Sequence, residues 1–162
     1  IGLLLAVVLF MRRVTENTEI KVYSEKLDVA EGTELQQHEV LNVAKGVSVY
    51  EIDGPFFFGV ATRFDELMRT ALAEKPLVRI IRMRKVSFID ATALHNLEML
   101  IKSSQNDGIH IVLSGVKSGV RSSLEHAGID KLIGSDHICD HITKAVMMAN
   151  LLAAEIRSRN RR

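Results

Sequence analysis

The sequence has no tryptophan, two tyrosines, two prolines and one cysteine among 162 residues. Without indole rings and with two phenol rings there is little platform for stacking nucleic-acid bases. Charge of one sign is missing as well: 21 Lys and Arg stand against 20 Asp and Glu, a net charge of +1. A nucleic-acid backbone calls for a basic footprint, so no nucleic acid is expected as a partner. Cys139 stands alone and closes no intrachain disulfide, which points to a reducing compartment. There is no internal repeat and no low-complexity segment. No apolar run reaches the roughly 20 residues of a bilayer-spanning helix.

The longest uncharged run lies at the front. Ile1 to Met11 carries no charge and is followed at once by Arg12 and Arg13. A secretory signal has the opposite order, charge before apolar run. Apolar residues ending in arginines fit the cytoplasmic end of a membrane helix under the positive-inside rule. The alternative is an amphipathic or core-docking helix, although no polar residue interrupts the run. A first residue other than Met suggests a piece of a longer chain. Residues 14–39 are polar and read as a linker, with Ile20 to Tyr23 as a short edge strand and a turn at Glu31-Gly32-Thr33.

From Val40 onward the pattern becomes periodic. Val47 to Ile52 is β-branched and aromatic enough for a strand, and Asp53-Gly54-Pro55 turns the chain. Phe56 to Phe58 reads as a second short extended piece. Phe64, Leu67, Met68, Ala71 and Leu72 share one helical face, with Thr62 and Asp65 able to cap its start and Pro76 ending it. Leu77 to Met83 predicts a strand, Ala91 to Gln105 a helix, and Ile109 to Ser114 a fourth strand. Val116, Val120, Leu124 and Ala127 mark another helix, stopped by Gly128. Ile138 through Ile156 predicts a long final helix, and residues 157–162 form a basic tail. Strands alternating with helices through short turns imply an α/β fold. The expected architecture is a mostly parallel, small sheet of about four strands packed with four to five helices. Its expected divisions are residues 1–13, 14–39, 40–156 and 157–162.

The segment from Val47 through Gly59, followed by Arg63-Phe64, resembles the opening of the STAS domain of SulP-type anion transporters. Ile80 to His95 continues the likeness, the family's Asp-Ala/Ser-Thr/Ser-Gly signature falling on Asp90, Ala91, Thr92 and Ala93. Ile111 to Val116 and Leu124 to Ile129 resemble the later strand and helix. Phe10-Met11-Arg12-Arg13 is similar to the end of the last membrane helix. The resemblance implies a non-catalytic, cytoplasmic regulatory domain of a secondary transporter for sulfate, bicarbonate or dicarboxylates. It places the chain on the cytoplasmic side of a bacterial inner membrane. The implied partners are the transporter's membrane domain, a second protomer in a homodimer, and a cytosolic protein. The same fold serves free-standing anti-sigma-factor antagonists, in which the Ser after the Asp is phosphorylated. Here that position is Ala91, which has no hydroxyl to accept phosphate; Thr92 is its neighbour.

Asp90 and Thr92 are candidates first for capping the helix and then for contact. A side-chain oxygen there satisfies N–H groups that have no partner within the helix. With Ala91, His95 and Asn96 they form a candidate partner-contact surface. The turn Ser114-Gly115-Val116-Lys117-Ser118-Gly119 lacks the spacing of a phosphate-binding P-loop. If a nucleotide or other anion binds as the resemblance allows, Lys117, Ser118 and Arg121 are its contacts; no other cofactor is expected. Asp136, His137, Cys139, Asp140 and His141 form the one metal-like cluster, with His137 and His141 spaced to share a helix face. No second cluster supplies further ligands, so no metal is expected. No Ser/His/Asp arrangement suggests a hydrolase. Arg79, Arg82, Arg84 and Lys85 are expected as a basic strip at a sheet face or end, or as a solvated, ion-paired edge.

Overall fold

The strand Val78–Arg82 (β5) is buried at every residue and lies at the centre of the main sheet. In the computed structural model, residues 2–16, 19–23, 26–29, 39–54 and 75–161 are described. The expected strand Phe56 to Phe58 and the expected helix around Phe64 to Leu72, with its Thr62 and Asp65 cap, lie outside them, as does the turn at residues 31–33.

The elements before β5 are Gly2–Glu16 (α1), Glu19–Tyr23 (β1), Lys26–Val29 (β2), Glu39–Asn42 (β3) and Val47–Asp53 (β4). After it come Ala91–Asn106 (α2), His110–Ser114 (β6), Ser118–His126 (α3), Ile129–Ile133 (α4), a 3-10 turn at Ser135–His137, Ile138–Cys139 (β7) and Ile142–Asn160 (α5). The main sheet has the order β1-β4-β5-β6-β7, while β2 and β3 pair separately. β4 to β7 are parallel; β1 runs antiparallel to β4 at one edge. This is the expected α/β architecture: among the described residues, four parallel strands with five helices.

Alternation along the strands sends side chains to two faces. Tyr50, Ile52, Ile81, Ile111 and Leu113 pack with Leu97 and Ile101 of α2, Leu124 of α3 and Ile129 of α4. On the other face Val47, Val49, Val78, Ile80 and Val112 pack with Ile142, Val146 and the alanines 145, 149 and 153 of α5. Parallel strands covered on both faces read as nearly continuous apolar runs, which is why β4, β5 and β6 stand out in the sequence.

Three local differences have identifiable causes. The apolar spacing predicts a helix from Ile138, but Ile138 and Cys139 pair with Leu113 and Ser114 as β7. Positions 138 and 142 fit a period of two as well as one of 3.6. Gly115 N–H donating to the Cys139 carbonyl at 2.9 Å and the extended backbone of His141 decide for the strand. Gly128, at φ +75°, ends α3 as expected, but it opens directly into the short helix α4. Within residues 14–39, β1 matches the edge strand expected at Ile20 to Tyr23, whereas β2 alternates over only four residues of a polar stretch and β3 begins at the polar Glu39. At the other end α5 continues through Arg157 and Arg159 into the basic tail.

Candidate functional site

The strand-to-helix connection after β5 is held from both ends. Met83 N–H donates to the Ser114 carbonyl of β6 at 2.7 Å, and Val86 N–H to the Met83 carbonyl at 2.9 Å. Val86 and Ile89 are buried and anchor the connection to the core. Asp90 then takes extended angles as the N-cap of α2, its Oδ1 accepting from Ala93 N–H at 2.7 Å. Asp90 is therefore the cap; Thr92 has its side chain at the surface. Ala91, Thr92 and His95 are exposed and Asn96 is half-buried. The structure brings all five expected contact residues together on one outward edge.

Two exposed apolar side chains flank this edge that the sequence reading did not single out. Phe88 is 60% exposed and Met99 is 53% exposed. They extend the edge at either end: Thr92, His95 and Met99 fall at i, i+3 and i+7 on α2, and Phe88 precedes them in the connection. The signal for Met99 is present in the sequence. It lies off the apolar face set by Leu97, Leu100 and Ile101, where a helix should be polar. Phe88 has no such signal, because its neighbours Val86 and Ile89 are core residues.

A buried carboxylate fixes this connection to the sheet. Glu51 of β4 is 1% exposed and takes Arg82 at 3.0 Å, Arg84 at 3.4 Å and Lys85 at 3.5 Å. Lys85 also donates to Asp53 Oδ2 at 2.6 Å, and that hydrogen bond, followed by the surrounding carboxylate charges, raises the ammonium pKa above its ordinary value. Gly115, at φ +67°, lets the next connection pass close: a Cβ there would stand 2.8 Å from Arg84 Cβ. The expected basic strip is thus corrected. Arg79 and Arg82 are core residues, each 1% exposed, because β5 is central and covered on both faces. Arg79 donates to Ser104 Oγ of α2 at 3.0 Å and its guanidinium carbon sits 5.6 Å from the Tyr50 ring centre. Arg84 and Lys85 alone form the ion-paired edge.

The other candidate groups are less convergent. Lys117 is the N-cap residue of α3 and makes no side-chain capping bond; Lys117 and Ser118 are exposed. Arg121 is held by Glu125 at 3.2 Å and Asp140 at 3.5 Å. In the metal-like cluster, His137 lies in the 3-10 turn with Nδ1 bonded to the Ile133 carbonyl, and His141 is the extended N-cap of α5. The two therefore share no helix face. Cys139 is buried in β7, and burial pushes its thiol pKa up. Among the described residues no three His, Cys, Asp or Glu side chains are grouped to hold a metal ion.

At the front, α1 exposes Leu3, Leu4, Leu5, Val7, Val8, Leu9 and Phe10, followed by exposed Arg12 and Arg13. No helix among the described residues is long and apolar enough to cross a membrane.

Comparison with known proteins gives this geometry its family. The model of the STAS domain matches residues 40–145. A candidate sulfate transporter of Bacillus subtilis, YvdB, is 30% identical over 142 residues; the match covers 86% of this chain and 24% of YvdB, so the chain spans about a quarter of that relative's length. The crystal structure of a sulfate transporter family protein from Wolinella succinogenes is 42% identical, with a TM-score of 0.64, covering 68% of this chain and 89% of that one. The STAS domain of a SulP transporter from Vibrio cholerae is 31% identical, with a TM-score of 0.57, covering 75% of this chain and 89% of that one. The chain belongs to the STAS domain family, among the STAS domains of SulP-type sulfate transporters.

Proposed function

We propose that this chain is the cytoplasmic regulatory domain of a SulP-type secondary anion transporter in a bacterial inner membrane. The anion is of the sulfate, bicarbonate or dicarboxylate class. The domain does no chemistry on it; it couples the membrane domain, a second protomer or a cytosolic protein to transport. The observation that carries this reading is α1, whose seven large apolar side chains stand exposed and end at Arg12 and Arg13. Exposed apolar surface on that scale marks a membrane or partner contact, and the arginines fit the cytoplasmic end of a membrane helix.

The contact edge is Asp90, Ala91, Thr92, His95 and Asn96, flanked by Phe88 and Met99. A capped helix start on a pinned connection is a stiff surface, and stiffness lowers the ordering cost of docking. The free-standing phosphorylation switch is not adopted, since Ala91 offers no hydroxyl. A nucleotide site at Lys117, Ser118 and Arg121 is not adopted either, because Glu125 and Asp140 already hold Arg121.

The test removes residues 40–162 from the full transporter and measures anion uptake and surface amount separately. Altered uptake per molecule at the surface is expected. Unchanged uptake per molecule defeats the regulatory reading. In the intact protein, Phe88→Asp combined with Met99→Asp is expected to reproduce the effect of the deletion while leaving surface amount unchanged.

A further inference from the structure

Helix α5 covers one face of the sheet with Ile142, Ala145, Val146, Ala149 and Ala153, all buried. Its opposite side is not uniformly polar, as a helix facing only water should be. Met147 is 63% exposed and Leu151 is 67% exposed, one turn apart. Helical spacing puts Lys144, Met147, Leu151, Ala154, Ser158 and Arg161 on one outward stripe, about 25 Å long at 1.5 Å per residue. All six are exposed. Basic residues close the stripe at both ends, and exposed Arg159 adds a third cation beside it. Exposed Glu155, four residues after Leu151, is the one acidic residue of α5 and lies on the same outward side, so with Lys144, Arg159 and Arg161 the face carries a net charge of about +2.

The two kinds of partner that take exposed apolar residues treat flanking charge differently. Protein interface cores take Met and Arg readily but are depleted of lysine, so Lys144 is the residue that separates the two. A lipid surface accepts apolar side chains at the acyl boundary and rewards cations among anionic headgroups. We propose that the outward stripe of α5 docks on an anionic membrane surface. Met147 and Leu151 enter the acyl boundary, while Lys144, Arg159 and Arg161 meet headgroup phosphates. This rests on the membrane-proximal reading of the chain, and it adds a second point of contact, far along the sequence from α1.

The test uses the 162-residue chain carrying a fluorophore at one of three positions: Leu151→Cys on α5, Ser103→Cys on the exposed side of α2, or Leu5→Cys on α1. Cys139 is buried and stays unlabelled. Vesicles of phosphatidylcholine bearing brominated acyl chains, with and without phosphatidylglycerol, supply the quencher. Position 151 is expected to be quenched only with phosphatidylglycerol, and position 103 in neither case. Each cation near an anionic surface strengthens docking about fivefold, so Lys144→Gln with Arg161→Gln should shift α5 about 25-fold toward the undocked state. Equal quenching at 151 and 103, or equal quenching at 151 with and without phosphatidylglycerol, overturns the proposal. Shielding of position 151 from aqueous iodide in the full transporter, without lipid quenching, also overturns it and assigns the stripe to a protein contact. Quenching at position 5 with none at 151 refutes only the α5 contact; none at either position refutes the membrane-proximal reading itself.

Discussion

Two arginines three residues apart in β5 reach the same depth by different means. Arg82 lies on the α5 face beside Glu51, its partner in the strand register, 3.0 Å away. Arg79 lies on the α2 face, with the Ser104 hydroxyl as its hydrogen-bond acceptor and the Tyr50 ring beneath its guanidinium. A buried charge costs several kcal/mol unless it is well partnered. Arg82 meets that requirement with an opposite charge; Arg79 has a dipole and a π face, and its Nε and Nη2 make no hydrogen bond among the described residues. The difference follows their neighbours. Glu51 also reaches Arg84 and Lys85, so the ion pair doubles as the clamp on the connection that leads to Asp90 and α2. Arg79 makes no comparable link to a connection; it ties α2 to the sheet.

The largest expected effect comes from Glu51→Ala. It removes the buried carboxylate that pairs with Arg82 and one contact each of Arg84 and Lys85, so a loss of about 3–5 kcal/mol is expected in urea unfolding. Arg82→Met follows. It strands most of the Glu51 charge on half-exposed partners, and a loss of about 3 kcal/mol is expected. Arg79→Met should behave differently. It removes a charge that has no carboxylate partner among the described residues and leaves one buried hydroxyl without its donor, a change within about 1.5 kcal/mol of wild type. If Arg79→Met costs as much as Arg82→Met, the two arginines are held by the same physics and the contrast fails.

Ser104→Ala sharpens the Arg79 side. It removes a small side chain and the acceptor of a buried guanidinium N–H, for which about 1–3 kcal/mol is expected. Combining Ser104→Ala with Arg79→Met should cost less than the sum of the two, because they share one hydrogen bond. An additive result would mean that this bond contributes nothing. Neither change touches the clamp, so hydrogen exchange in residues 83–90 should remain as in wild type.

These arginines also show where the sequence was legible. β4, β5, β6 and α2 could be read because both-faced burial and a helical stripe leave strong periods in Val, Ile and Leu. The same periods concealed depth. Val78-Arg-Ile-Ile-Arg82 reads as a strand, but charge at its ends suggested an edge, and only the register with Glu51 places Arg82 inside. β7 was unreadable for a related reason: two residues carry no period of their own, and Ile138 fits the next helix. The Asp90 cap and the helix start that follows it were legible through capping chemistry at a strand-to-helix turn. Phe88 was not, because local apolarity does not distinguish an anchor from an exposed neighbour. β2 and β3 were hidden in a polar stretch because they pair with each other rather than within the main sheet.

The smallest expected effect tests the outer rim of the clamp. Lys85 is held by Asp53 at 2.6 Å and by Glu51 at 3.5 Å, and these contacts raise its folded pKa above the ordinary 10.5. A group whose pKa is raised on folding contributes stability below its unfolded pKa and loses it as pH rises through the folded value. The contribution of Lys85 should therefore be complete at neutral pH and disappear above about 10.5. Since Lys85 is more than a third exposed, solvent screening keeps that contribution small. Other groups titrate in the same alkaline range, so the measurement is a difference. Urea midpoints of wild type and Asp53→Asn are compared at neutral pH and above the lysine pKa. The gap between the two proteins should narrow as the ammonium loses its proton. A gap that stays constant shows that Asp53 acts through packing and that the clamp is Glu51 with its two arginines.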